Sequence, residues 1–104
     1  MKKKFVFVVV RTEGLYESHD YPVRAFDNEP VAKAFAHECT TAYQLQRERF
    51  LANRARHGEK WWDYDIKKTD RIEARYERQL PDRCSIRDSD MRWSVWEVPM
   101  QAAR

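Results

Sequence analysis

The sequence predicts an α+β fold with the element order ββααβ. In it, a three-stranded mixed sheet of strand order 2-1-3 is covered on one face by a long antiparallel helical hairpin. Three observations predict this: residues 5–10 are apolar at every position, residues 92–99 return to strand character, and two long helical patterns lie between them. A chain of 104 residues fits one domain, residues 1–104.

The first strand, about residues 4–11, is predicted to be the centre of the sheet. Both of its alternating sets of side chains are apolar, with Phe5, Phe7 and Val9 on one face and Val6, Val8 and Val10 on the other. Neither face suits water, so this strand needs neighbouring strands and a cover.

The second strand, about residues 21–26, follows a polar loop that contains Gly14. Pro22 has no N–H to give to a ladder, which indicates an edge strand. The third strand, about residues 92–99, places Trp93 and Trp96 on opposite faces. If the direction of the chain reverses at every element, the third strand lies parallel to the first, with a right-handed crossover.

The first helix is predicted over residues 29–57, because Asp27-Asn28-Glu29-Pro30 is a helix start and Gly58 is a stop. Its apolar arc is broad: one face carries Val31, Ala34, Phe35, Ala42, Leu45 and Ala52, and beside it lie Ala32, Ala36, Cys39, Tyr43 and Phe50. Such a helix is expected to contact both the sheet and the second helix, predicted over residues 60–80 and ended by Pro81.

Composition excludes some classes of protein. Twenty Lys and Arg against seventeen Asp and Glu give a net charge of +3, which excludes an acidic mimic of nucleic acid without establishing a nucleic-acid binder. Cys39 and Cys84 lack metal-type spacing and indicate thiols of a reduced compartment. No segment approaches the length of a transmembrane helix, so we expect a protein of the host bacterial cytoplasm with no membrane partner.

Catalytic chemistry finds little support in the sequence. The three histidines are scattered, and no Gly-rich phosphate loop, nucleophile elbow or metalloprotease helix is present. A metal site would have to bring together His37, Cys39, His57 and Cys84 from distant positions, and a buried thiol with surface imidazoles is the favoured interpretation. We therefore predict no enzyme, no catalytic residue, no metal and no cofactor.

A basic stripe on the second helix is the main candidate for partner binding. Six cations share about 100° of the helical wheel, next to an aromatic anchor, so the predicted surface consists of Lys60, Trp61, Lys67, Lys68, Arg71, Arg75 and Arg78. It can contact an acidic protein or a nucleic-acid backbone. The alternative is an ordinary solvated face, balanced by the acidic flank of Glu59, Asp63, Asp70, Glu73 and Glu77.

A second candidate surface is the sheet face that the helices leave open. Apolar strand residues exposed there would need a second subunit or another partner. We predict self-association into a homodimer through Phe5, Phe7, Val9, Trp93 and Trp96.

The Val-rich first strand, the short strand ending in Phe26-Asp27, the capped helix with Ala32, Ala34 and Ala36, and the closing strand Trp93-Ser-Val-Trp-Glu-Val-Pro-Met form a recognisable pattern. Over the first forty and last ten residues it resembles small ββαβ proteins of phages and mobile elements; the charged segment between departs from them.

The resemblance implies a stoichiometric inhibitor that binds a host protein or ribonucleoprotein complex, such as a CRISPR–Cas or other defence system. The alternatives are a nucleic-acid-binding accessory protein and an enzyme.

Overall fold

The computed structural model of the chain describes residues 4–57, 66–88 and 90–100. It has the predicted α+β class, with strands β1 (Lys4–Glu13), β2 (His19–Phe26) and β3 (Met91–Met100), and helices α1 (Glu29–His57) and α2 (Ile66–Glu77). The bounds predicted for the first helix are confirmed. The strands lie where they were predicted and extend a few residues further. The predicted start of the second helix, near residue 60, lies outside the described residues.

The three strands form one sheet of order β2-β1-β3, which confirms β1 as the central strand. The sheet is wholly antiparallel, because β1 pairs antiparallel with both β2 and β3. The prediction of a mixed sheet with β3 parallel to β1 is therefore wrong. It assumed a reversal at every element, but the irregular segment 78–90 can span about 40 Å when extended. A connection of that length does not fix the direction of the strand that follows.

The pairing register assigns every strand residue to one of the two sheet faces, since directly opposed residues in an antiparallel pair share a face. Val9 is opposite Arg24 on β2 and Val95 on β3. Val8 is opposite Ala25 and Trp96. The register of β1 against β2 shifts between Val9 and Val10, while the β1–β3 pairing runs without interruption.

The described residues divide into two compact units, residues 4–40 with 90–100, and residues 41–57 with 66–88. In the first unit, α1 packs on the face of the sheet that carries Val9. The core consists of buried Val9, Ala32 and Ala36, against which Phe7, Phe26, Phe35, Trp93 and Val95 are packed. The two alanines on α1 have small side chains, which leave room for the aromatic rings of the sheet.

The start of α1 is capped as the sequence predicts. The side-chain Oδ1 of Asn28 accepts a hydrogen bond from the backbone N–H of Val31 at 3.2 Å, and the backbone oxygen of Asn28 accepts one from Ala32 at 3.1 Å. The cap therefore places the alanines of the following turns over the sheet.

The buried stripe of α1 is not the one with most of the predicted apolar residues. It runs along the adjoining set, with Ala32, Ala36, Cys39, Tyr43, Gln46 and Phe50 buried. Val31 and Leu45, on the face expected to be the main one, are exposed. The spacing of the buried set alternates between three and four residues, the helical repeat of a single narrow contact line.

The second unit differs most from the prediction. The described residues do not form the predicted long antiparallel hairpin over the sheet. Helix α2 ends at Glu77 and belongs, with the second half of α1, to the second unit. Past its end, the N–H groups of Gln79 and Leu80 bond to the oxygens of Tyr76 and Glu77, both at 3.1 Å, in the tighter three-residue pattern.

The segment after α2 contributes buried side chains to the second unit although it has no regular structure. Leu80, Cys84 and Ile86 are buried there, together with Phe50 and Tyr43 of α1. The rings of Phe50 and Tyr76 meet edge to face with centroids 5.8 Å apart. Most of residues 82–91 are polar, and Cys84 and Ile86 are too few to produce a periodic apolar pattern in the sequence.

We predict that Val9→Ala lowers the free energy of unfolding by about 2 kcal/mol, because it removes two methyl groups from a fully buried site and leaves a cavity beside α1. Val98→Ala makes the same chemical change on the exposed opposite face and is expected to cost less than about 0.5 kcal/mol. Urea unfolding followed by circular dichroism measures both. Equal losses would show that the two faces are covered to the same extent.

Candidate binding surfaces

The sheet face opposite α1 is apolar and largely open to solvent. Trp96 is 47% exposed, Val98 41% and Met100 57%. We call this surface the open sheet face and define it by Val6, Val8, Pro22, Ala25, Trp96 and Val98, which the pairing register places together. Pro22 and Ala25 are also exposed, whereas Val6 and Val8 are half-buried and Val10, on the same face, is buried.

The predicted self-association residues do not lie together on this face. Val9 has 0% exposure and belongs to the core under α1, and Phe7 and Trp93 pack against that core. Phe5 shares their face, and only Trp96 is on the open sheet face. For Val9 the prediction of a contact residue is therefore wrong. Both faces of β1 are apolar, and on the face that α1 covers Phe26 contacts Phe35 of the helix, with ring centroids 5.5 Å apart.

The outer edge of the sheet at β2 is protected by cationic side chains as well as by proline. The guanidinium of Arg24 lies 5.5 Å from the ring centres of both Phe26 and Phe35, and that of Arg11 lies 5.1 Å from the ring of Tyr21. Such cation–π contacts contribute about 0.5–1 kcal/mol each at exposed sites. They cover the aromatic end of the first unit's core.

An open groove of about 380 Å³ lies between α1 and β3 in the first unit. Its lining residues are Lys33, Ala36, His37 and Thr40 from α1, and Trp93, Ser94 and Val95 from β3. Lys33 pairs with Glu29 one turn earlier, with Nζ and Oε1 2.8 Å apart and both side chains well exposed. An exposed pair of this kind is worth about 0.3–0.5 kcal/mol, so Lys33 can exchange it for another carboxylate.

Four members of the predicted basic stripe share one exposed side of α2 and of the turn that follows it. They are Lys68, Arg71, Arg75 and Arg78. Lys60 and Trp61 lie outside the described residues, as does the side chain of Lys67. The Nε of Arg78 donates to the backbone oxygen of Ala74 at 3.2 Å, which holds this guanidinium against the helix.

Two acids of the predicted flank are turned away from the basic stripe. Glu73 accepts a hydrogen bond from Arg87 and forms an ion pair with it. Burial raises the pKa of Glu77, although the nearby Arg83 and a backbone hydrogen bond from Ile86 act in the opposite direction. Both carboxyls thus face the irregular segment after α2, while Asp70 is exposed.

Arg47 and Tyr43 of α1 hold this irregular segment by its backbone. The Nη1 of Arg47 donates to the oxygens of Ile86 at 2.9 Å and Arg87 at 2.8 Å, and the hydroxyl of Tyr43 donates to that of Ser85 at 3.3 Å. Three more arginines follow within nine residues, at positions 49, 54 and 56, and no local sequence signal distinguishes the one that binds these carbonyls.

The described part of the chain has neither a metal-binding cluster nor a membrane-spanning helix. It contains no cluster of three or more His, Cys, Asp and Glu side chains suited to a metal ion. Cys39 and Cys84 are free thiols and both are buried. Neither described helix combines the length and hydropathy that crossing a membrane requires.

Comparison of the chain with protein-family models, with curated proteins and with solved structures finds no match in any of the three.

We predict that Tyr43 makes stability fall at alkaline pH. Burial raises the pKa of this hydroxyl from 10.0 to about 12, so the folded state holds a proton that the unfolded chain releases above pH 10. This contribution is complete below pH 10 and is lost as the pH rises from 10 to about 12. Tyr43→Phe should cost about 1 kcal/mol at pH 8, because Ser85 loses its donor, and should lessen the alkaline loss.

Urea unfolding at pH 8, 10 and 11 measures this effect, with Tyr16→Phe as the control because Tyr16 is 99% exposed. The control should follow the unsubstituted protein at every pH. An identical alkaline decline in Tyr43→Phe would refute the assignment.

Proposed function

We propose that this chain is an interaction protein that binds stoichiometrically to another protein through the open sheet face, with Trp96 as the central anchor. The observation that supports the proposal is the exposure of Trp96 and Val98 on β3, beside the apolar side chains that the central strand β1 presents on the same face. The largest contiguous apolar patch on a protein surface is often functional, and tryptophan is enriched among the residues that dominate binding energy.

The distribution of polar residues on this face fits a binding surface. Its centre carries Val6, Val8 and Trp96, whereas Arg92 with Thr12 and Asp20 lies at one end and Lys4 at the other. Thr12 donates to the carboxylate of Asp20 at 2.7 Å. An apolar centre with a polar rim is the usual anatomy of a protein interface.

The size of the face limits what can bind to it. Three strands about 4.8 Å apart and ten residues long offer on the order of 500 Å², which is less than the roughly 800 Å² that each partner contributes to a standard interface. Two copies packed face to face would fall short of a stable dimer. A larger partner that also reaches beyond this face fits better.

The specific form of this proposal is an inhibitor of a bacterial defence complex such as CRISPR–Cas, acting in the host cell by occupying a surface of that complex. It is supported by the resemblance of the strands and the capped helix to small phage and mobile-element proteins. Occupying a surface requires shape and apolar area, and no reacting group.

We predict that Trp96→Ala weakens partner binding about 30-fold or more, because loss of an interface tryptophan typically costs 2 kcal/mol or more. The tagged chain is tested against purified CRISPR–Cas complexes by calorimetry, which also gives the stoichiometry, and against bacterial lysate by quantitative mass spectrometry. Leu15→Ala, an exposed apolar change in the loop between β1 and β2, is the matched control. Urea unfolding verifies that both variants fold.

Binding that survives Trp96→Ala and Leu15→Ala equally would contradict the proposal. Sedimentation of the chain alone tests whether a second copy of the chain covers the open sheet face. A dimer that dissociates in Trp96→Ala would assign the face to that second copy.

Nucleic-acid binding through the basic stripe is the second candidate. It is favoured by the direction of Glu73 and Glu77, which face the irregular segment and so leave the exposed side of α2 to the cations. A phosphate backbone that contacts Lys68, Arg71, Arg75 and Arg78 would release counterions at each contact.

If this candidate is correct, affinity for a labelled 20-base-pair duplex, measured by fluorescence anisotropy, falls with salt at a slope of about −3.6, or −0.9 for each of the four cations. Arg71→Glu with Arg75→Glu should reduce the slope by about two and the affinity at least tenfold. Arg49→Glu with Arg56→Glu gives the same change in net charge on α1 and should have a smaller effect. Equal effects of the two pairs, or no binding at low salt, would exclude the stripe.

A further inference from the structure

We infer that the groove between α1 and β3 binds an extended segment of the partner as a fourth strand on the edge of β3, with acidic side chains on the helix side and apolar side chains on the side of Trp96. This inference rests on the proposed function and adds the site and the chemistry of the bound segment. Its evidence is the hydrogen-bonding pattern of the β3 edge and the charges above it.

The pairing register determines which backbone groups of β3 are directed outward. Pro99 lies opposite Phe5, and because proline has no N–H, this pair must be of the kind that exchanges no hydrogen bonds. The two kinds of pair alternate along an uninterrupted ladder. The N–H and C=O groups of Trp93, Val95 and Glu97 are therefore directed away from β1, and Trp93 and Val95 line the groove.

The other edge of the sheet lacks these properties. Pro22 lies opposite Val10, so this pair also exchanges no hydrogen bonds. The outer edge of β2 therefore lacks an N–H donor at Pro22. The register shift next to this pair further obstructs β2. These are devices that natural sheets use against strand addition. Between Arg92 and Val98, β3 has neither a proline nor a register shift.

The two faces of the added strand would meet different chemistry. On the helix side stand Lys33 and His37, both exposed, above the side chains of Ala36 and Val95. A glutamate can lay its methylene groups over the apolar floor and place its carboxylate at Lys33. On the opposite side the strand continues the open sheet face beside Trp96 and Val98, where apolar residues fit. The complementary segment alternates acidic and apolar residues.

This site is continuous with the open sheet face and extends it by one strand. A partner that adds a strand to β3 and covers Trp96 gains backbone hydrogen bonds and additional contact area together. The groove thereby supplies part of the interface area that the open sheet face lacks.

The probe is a fluorescein-labelled, acetylated and amidated peptide of four alternating Glu-Val pairs, with binding measured by fluorescence anisotropy. A peptide in which Lys replaces every Glu should bind at least tenfold more weakly. Two further peptides are N-methylated, one at all Glu residues and one at all Val residues.

Only one set of N–H groups faces β3, so exactly one of the methylated peptides should lose binding. Loss from methylation at Glu indicates an antiparallel added strand, and loss from methylation at Val a parallel one. If both methylated peptides bind as tightly as the parent peptide, strand addition is refuted.

Two protein variants complete the test. Val95→Pro removes an outward N–H without breaking the ladder to β1 and should weaken binding at least tenfold, while Val95→Ala keeps the N–H and serves as its control. Lys33→Gln with His37→Gln alters only exposed side chains, so it tests the site even if Val95→Pro fails to fold. Unchanged affinity in this double variant would overturn the assignment of acidic residues to the helix side.

The inference and the proposed function can fail separately. Partner capture that depends on Trp96 but is unaffected by Lys33→Gln with His37→Gln and by Val95→Pro would refute the groove and leave the open sheet face as the site. The opposite result is that the groove variants weaken peptide binding while Trp96→Ala leaves partner capture unchanged. It would refute the proposed function and support the groove as a binding site.

Discussion

The apolar side chains on both faces of β1 are the constraint on which the rest of the first unit depends. One face is removed from water by α1, whose alanines at positions 32 and 36 lie over Val9. The other face is covered only in part: Val10 is buried there, whereas Trp96 and Val98, which extend the face onto β3, are exposed. A strand that forms the core on one side thus becomes the middle of a candidate interface on the other.

The central strand, the strand order and the first helix could be predicted because each has a local cause. Six consecutive apolar residues indicate a strand buried on two faces, Pro22 indicates an edge, and Asn28 caps a helix whose bounds follow from Pro30 and Gly58. The direction of β3 has no local cause. It depends on the long irregular segment before it, and no pattern within that segment encodes a direction.

The candidate surfaces were only partly predictable for a similar reason. Trp96 could be assigned to the face opposite Trp93 from strand periodicity alone, but which face α1 covers depends on contacts between the helix and residues of all three strands. The role of Arg47 depends on backbone oxygens some forty residues away in sequence, which no helical wheel contains. The groove exists because α1 runs beside the outer edge of β3, a relation that appears only after the strands have been ordered.

The pairing of Lys4 with Met100 has a consequence for how the protein is made. Strand β3 follows β1 by roughly eighty residues, so synthesis at roughly 5–20 residues per second leaves β1 without this partner strand for several seconds. Contacts so distant in sequence also form slowly after release. During this interval a Val-rich strand is prone to aggregate, and the lysines at positions 2, 3 and 4 add the kind of charge that discourages it.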